Sequence, residues 1–507
     1  MITLSYDRIK YYIYAYMGLT VPMFFIFYFK LYLIGIIFTL LLIGAFIWRI
    51  RGEKKEGIDK DGVKIKKPVL LIYLAASFVW TFLGGFGGHY AQSTDWNYRN
   101  AIFRDMLTRS WPVVYPEYDK MLNYYIGHWI QPAFFAKVIG KVFGLGENAL
   151  WFIGNQFLWI YTAVGIFITM ILLLCYVKTD STKKQLLLMG LFVGFSGMDI
   201  VGTVLDLLFF HHVSYANIHI EWWSSFQFSS MTTCLFWVFN QTMTAWIVIL
   251  CVVLEKKSDA FVFLGTCAAL SGPLPFICIF LYMMVIAVKR VAEVKSVKII
   301  KEFLSPLNIL MVPPLLFIVR LYSSNAAINS TASESTITES STQVMFARMI
   351  VYDPYVLMFV FLFLLLEAGI HLILLYKPYS RNALYWATAL FLLLSPFFAM
   401  GNEKDFVMRF SVPAIMVLLM MCGKVLLGDK CEDTPEMKPI LKKILIACII
   451  IGMATPATEF ARGYVQMLLT GRIDNVKDEV VTLDQDIYDN NFMTYGYTED
   501  PFISRVL

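Results

Sequence analysis

The chain predicts an all-α, polytopic transmembrane helical bundle, and three observations carry that prediction. It is 58% hydrophobic against 16% charged, with mean hydropathy +0.65, well outside the range of soluble globular domains. Apolar runs of about twenty residues, the length that crosses a bilayer as a helix, recur about thirteen times. Lys and Arg crowd into alternate short loops, the bias that marks cytoplasmic loops. The net charge of +5 therefore reports orientation, and no nucleic-acid partner is expected.

The expected spans are 10–29, 31–48, 68–86, 149–177, 185–205, 226–254, 260–271, 273–288, 303–321, 350–376, 383–399, 406–427 and 440–458. The first lacks a small-residue cleavage site and is followed by others, so the N-terminal helix is expected to stay. The pair around Ser271-Gly272-Pro273 is too short for two ordinary spans and reads as a broken or re-entrant hairpin buried in protein. Residues 1–67 form a helical hairpin, with no ionisable residue inside its spans apart from Lys30 at the turn, and a mobile Lys-rich linker. Residues 68–458 form the core, and 459–507 a short external tail.

Basic residues in 49–67, 178–184, 256–257 and 289–301 place those loops and the N-terminus in the cytoplasm, in the cell membrane. The opposite, external face then receives the loop 84–148, the segment 211–225, the low-complexity loop 322–343, the turn 401–409 and the tail. Most of the eight Cys fall in or beside apolar runs, with no CxxC pair and no metal spacing, so neither disulfides nor a zinc site is expected.

The external segments hold the chemistry. Gly84 to Pro132 mixes Asp95, Arg99, Arg104, Asp105, Glu117, Asp119 and His128 with many aromatics, which suits a folded loop better than a flexible linker. Ser93-Thr94-Asp95 is a helix start, followed by Trp96, Ile102, Phe103, Met106 and Leu107 at helical spacing. An amphipathic helix on the external interface is expected there. Asp95 either caps it or works as a catalytic carboxylate. On a straight helix Asp105 lies roughly 15 Å away and about 80° round, so the two cannot form one paired-acid site.

Asp199, late in its apolar run, needs a partner or a wet cavity. His211, His212, His219 and Glu221 follow, but without the HExxH pattern, and interfacial histidines are favoured there over a metal site. Asn240 and Gln241 are expected to bond between helices. Arg409, about one turn into its helix, either snorkels outward or binds an anion, with Lys404 nearby.

In that order these residues carry a resemblance. Asp95-Trp96 with the following Asn-Ala-Ile-Phe-Arg-Asp stretch and Trp111-Pro112-Val113, then Phe195-Ser196-Gly197-Met198-Asp199, resemble the GT-C class of integral-membrane glycosyltransferases. So do His219-Ile220-Glu221-Trp222-Trp223, Phe236-Trp237-Val238-Phe239-Asn240-Gln241 and Asn402 to Arg409. The resemblance covers most of 68–430. It implies transfer of a sugar from a polyprenyl-phosphate donor to a glycan, lipid or protein acceptor in the envelope, on the external face of the bilayer, usually with inversion. Asp95 matches the acidic residue of the first external loop and is the implied base, with Arg409 on the departing phosphate. Glu221, Asp199, His219, Arg99 and Lys404 would be substrate contacts. The paired-acid form of some members is missing, because Trp96 and Asn97 follow Asp95. No cofactor is expected for certain, and a divalent cation stays an alternative. The rival reading is a multi-pass transporter or lipid flippase.

Overall fold

The computed structural model describes residues 1–56, 62–210, 220, 226–294, 298–325, 348–350, 352–399, 403–429, 435–471, 479–482 and 492–507. Among these, eight helices are long and apolar enough to cross a membrane, or nine if the bent pair Thr182–Gly194 and Asp199–Phe209 is one span. This is a multi-pass, all-α bundle with fewer full-length spans than the apolar runs predicted. The difference lies in broken elements. The run 10–29 divides into α1 (Tyr6–Gly18) and α2 (Thr20–Phe27), and Lys67–Leu83, Phe261–Ser271 and Ala383–Phe397 are apolar but shorter than a span.

The chain continues through α3 (Tyr32–Glu56), α4 (Lys67–Leu83), α5 (Trp96–Thr108), α6 (Gly127–Phe143), α7 (Glu147–Val177), α8 (Thr182–Gly194) and α9 (Asp199–Phe210). Next come α10 (Met231–Leu254), α11 (Phe261–Ser271), α12 (Pro273–Val294), α13 (Lys298–Phe303) and α14 (Pro306–Ser323). The last third holds α15 (Pro354–Leu364), a π turn at Leu365–Gly369, α16 (Ile370–Tyr379), α17 (Ala383–Leu394), α18 (Glu403–Leu427), α19 (Pro439–Gly452), α20 (Ala454–Thr470) and α21 (Ile503–Val506). The centre of the bundle is α10 and α18, whose apolar windows are 83% and 89% buried. The break expected at Gly272 is present, but α12 runs on for 22 residues and is itself a candidate span.

Strands are two or three residues long and serve as clasps. β1 (Ile2–Leu4) pairs antiparallel with β2 (Val63–Ile65), which brings the N-terminus to the Lys-rich linker. At the same end the Lys64 N–H donates to Asp180 at 2.7 Å, and Lys184 meets Asp429 at 2.8 Å. The linker is thus tied down at both ends, α3 extending to Glu56, while 57–61 lie outside the described residues.

The hairpin is also more polar than expected. Arg49, on α3, places Nη2 at 3.1 Å from Glu255 and 2.9 Å from Asp259, and Lys10, on α1, reaches Glu53 at 2.9 Å. All but Glu53 are buried. The acids of the α10–α11 turn enter the interior only because these cations meet them, since a buried charge left unpaired is strongly destabilising.

At the other end β3 (Val114–Tyr115), β4 (Lys120–Leu122) and β7 (Met493–Tyr495) form one sheet that joins the first large loop to the C-terminal tail. Arg109 to Glu479 at 2.7 Å and Asn123 to Thr494 at 2.8 Å fasten the same junction. The third clasp pairs β5 (Arg348–Met349) with β6 (Phe398–Ala399).

Candidate functional site

The site is organised by a break in α10. Val238 has φ −132° and ψ 35°, outside helical values, so the turn around it cannot complete its ladder and the carbonyls there need other donors. Phe236 O accepts from Trp96 Nε1 at 3.0 Å and from Ser93 Oγ at 3.4 Å, and Cys234 O accepts from Thr242 Oγ1 at 3.3 Å. Trp237 Nε1 donates to Glu459 Oε2 at 2.9 Å, an oxygen that Arg462 also holds at 3.0 Å while its guanidinium lies 5.0 Å from the Trp237 ring. The break therefore fixes α5 on one side and α20 on the other.

Asp95 and Arg99 sit on the α5 side. The helix starts at Trp96 as the sequence predicts, but the Asp95 side chain makes no capping hydrogen bond. It turns along the helix to Arg99 Nη1 at 3.0 Å and stays 41% exposed, whereas Arg99 is buried, 5.8 Å from the Phe239 ring. The helix itself is enclosed instead of lying on the interface. Trp96, Ile102, Phe103, Met106 and Leu107 are all buried, and so are Arg99, Asn100 and Asp105 on its polar side. With its apolar side chains buried against protein, the helix has no apolar face left for lipid.

Asp105 takes a different role, as its position ten residues on requires. Its carboxylate accepts from the Tyr115 hydroxyl and from the Val480 N–H at 3.1 Å. Burial pushes the carboxyl up to about 6, against the opposing pull of those bonds and of the Arg109 charge. His128 is also structural: Nε2 pairs with Thr162 Oγ1 at 3.0 Å, and burial pushes the ring down to about 3, so it is neutral.

Arg409, about a turn and a half into α18, is partly buried and donates from Nη1 to the Tyr125 hydroxyl at 3.0 Å. The Tyr125 ring lies tilted against Tyr124, centroids 3.9 Å apart, and meets Tyr322 edge-on at 6.0 Å, and Tyr322 donates to Leu270 O at 2.9 Å. Gly127 is required at the next step: a Cβ there would lie 2.8 Å from Leu270 O and 2.7 Å from Ser271 Oγ. Beyond the hairpin break a Cβ on Gly272 would touch Gln241 at 3.0 Å. Arg409 thus joins α18 to the turn ahead of α6 through Tyr125, and the Asp95–Arg99 pair meets the broken stretch of α10 at Phe239.

Asn240 and Gln241 do not bond between helices as expected. Both are buried, with all four amide atoms unpartnered among the described residues. Each such group costs about 1–3 kcal/mol, so the break is a place where stability has been given up.

Asp199 lies apart, at the α8–α9 bend. It is buried at the first position of α9, where the helix dipole favours a carboxylate, and it accepts from Ser196 at 3.2 Å and Thr455 at 2.9 Å. Gly197 presses against the π turn, its would-be Cβ only 2.7 Å from the Glu367 Cα. Glu367 is buried within that turn, and His371, one turn on, has both ring nitrogens unpartnered among the described residues. His211, His212, His219, Glu221 and the side chain of Lys404 lie outside the described residues.

Sequence reasoning missed Tyr125, Glu459, Arg462 and Glu367. A carboxylate in the apolar run 350–376 was a legible signal for the last. Comparison with known proteins returns nothing: no family model, no curated protein and no solved structure matches the chain.

Proposed function

We propose that the chain is a membrane glycosyltransferase that moves a sugar from a polyprenyl-phosphate donor to an envelope acceptor on the external face, by direct displacement. The observation that carries the reading is the Asp95 carboxylate, which leaves the capping position, keeps one oxygen on Arg99 and stays open to solvent at the start of a helix most of whose residues are buried. In the reaction the open oxygen takes the proton of an acceptor hydroxyl as that oxygen bonds to the anomeric carbon. The bond from the anomeric carbon to phosphate oxygen breaks on the opposite face, and its electrons leave with the polyprenyl phosphate. Arg409, steadied by Tyr125, meets the charge that develops there, as fixed donors do at a leaving group.

One observation favours a second reading, a transporter or flippase. A bent helix pair with buried Asp199 beside a π turn holding buried Glu367 has the form of a broken-helix ion site. Purified protein in nanodiscs, given labelled polyprenyl-phosphate hexoses and envelope extract, separates the two. Sugar transfer with release of polyprenyl phosphate supports the enzyme. Solute or lipid movement in proteoliposomes without cleavage of the donor overturns it.

A further inference from the structure

The opposite end of the bundle holds a cavity of about 450 Å³, lined by Lys178, Lys289, Arg381 and Lys424 together with Asn382 and Tyr379. Its size lies in the range of small-molecule sites. No acidic residue lines it among the described residues, although Glu293 approaches Lys289 at 3.7 Å on the exposed side.

We infer that this cavity binds a phosphate group, carried either by an anionic lipid headgroup or by a soluble phosphate compound. The bias of Lys and Arg towards one end of a membrane protein accounts for how many cations are found there. It does not account for four of them, from α7, α12, the α16–α17 turn and α18, converging on one concavity. Lys424 is buried in the wall, at 6% exposure. Lys178 closes α7, where the helix C-terminus favours a cation. Arg381 and three ammonium groups can together offer a fork and point charges to phosphate oxygens.

The ring side of the cavity is equally defined. Tyr379 donates to Met421 O at 3.2 Å, and Asn382 accepts from the Leu384 N–H at 2.9 Å. Both polar side chains are thereby held in place by their own bonds, so the wall is pre-formed. The inference is independent of the sugar-transfer reading, which concerns the other end of the bundle.

The test is acylation of lysines on the full-length protein in nanodiscs, read by peptide mass spectrometry. One arm adds inorganic pyrophosphate to phosphatidylcholine nanodiscs, and the other replaces phosphatidylcholine by phosphatidylglycerol. Protection of Lys178 and Lys289 is expected in at least one arm, with Lys443, at the start of α19 and outside the cavity, unprotected. Protection by pyrophosphate identifies a soluble ligand, and protection only by phosphatidylglycerol a lipid. The double variant Lys289→Gln, Arg381→Gln should weaken the effective ligand by about tenfold or more, the usual effect of losing a charge-assisted contact. Equal labelling of all these lysines in both arms, or undiminished affinity in the double variant, overturns the inference. The labelling needs no variant and stands if the double variant fails to fold.

Discussion

Trp96 gives its indole N–H to the main-chain carbonyl of Phe236 across 3.0 Å. That bond is the shorter of two that join the first large loop to the broken turn of the central helix. Trp96→Phe keeps the ring packing against Phe86 and Phe239 but removes the donor, leaving the carbonyl to a 3.4 Å contact from Ser93. A loss of roughly 1–3 kcal/mol is expected. Thermal unfolding in detergent checks it, and an unchanged midpoint would show that the bond contributes nothing.

The Asp105 carboxyl gives a pH dependence with a definite sign. Its folded pKa, raised to about 6 from 3.8, means that folding takes up a proton between those values. The favourable contribution is complete below about pH 4 and is lost as pH rises through about 6, with a total near 3 kcal/mol. Asp429 and Asp500 shift downward instead, hydrogen bonds outweighing burial, so their effect falls below pH 4 and does not overlap. His128, buried neutral with its ring pushed down to about 3, adds the opposite slope, a gain in stability as pH rises toward 6.5 that both proteins share. The readout is therefore the difference: from pH 4.5 to 7.5 the wild-type midpoint should fall relative to that of Asp105→Asn.

Gly197 and Gly190 form a matched pair. A methyl at Gly197 would collide with the π turn at Glu367, whereas one at Gly190 meets nothing within 4 Å. Gly197→Ala should lower the unfolding midpoint, by about 1–3 kcal/mol for an overpacked site. Gly190→Ala should hold or raise it by up to about 1 kcal/mol, the helix preference of Ala over Gly. Equal effects would deny that the bend and the π turn are in contact.

Arg409 allows charge and geometry to be separated. If it grips phosphate, donor-lipid affinity falls most in Arg409→Ala, about tenfold or more, and less in Arg409→Lys, which keeps charge without the fork. Microscale binding to a polyprenyl phosphate gives the order. Wild-type affinity in both variants would remove Arg409 from the site.

The parts that sequence made legible are those with local causes. The helix start at Trp96 followed from Ser93-Thr94-Asp95 ahead of a helical apolar period, and the glycine-rich exit after Leu83 from its composition. The Asp95–Arg99 pair was not legible, because an acid at a helix start with a base four residues later serves capping and pairing equally well. The break at Val238 had no local sign either. Phe236 to Gln241 contains no Gly or Pro, and the non-helical turn is held by side chains of Ser93, Trp96 and Thr242, two of them more than a hundred residues away. The breaks within apolar runs were not legible for a similar reason: apolar length marks a segment as membrane-compatible, but the split between α1 and α2 at Leu19 is a matter of packing.

The measurement that bears most directly on the central claim is sugar transfer by Asp95→Asn. Asn keeps the size and an oxygen that can accept from Arg99 Nη1, whose bond to the Asp95 main-chain carbonyl at 3.0 Å is untouched. Loss of the charge beside buried Arg99 should lower the unfolding midpoint, so transfer and donor binding are compared at a temperature where both proteins are folded. Transfer from the polyprenyl-phosphate donor should fall by roughly 10²–10⁴-fold, the contribution of a general base. Transfer at the wild-type rate in a folded Asp95→Asn protein would contradict the account.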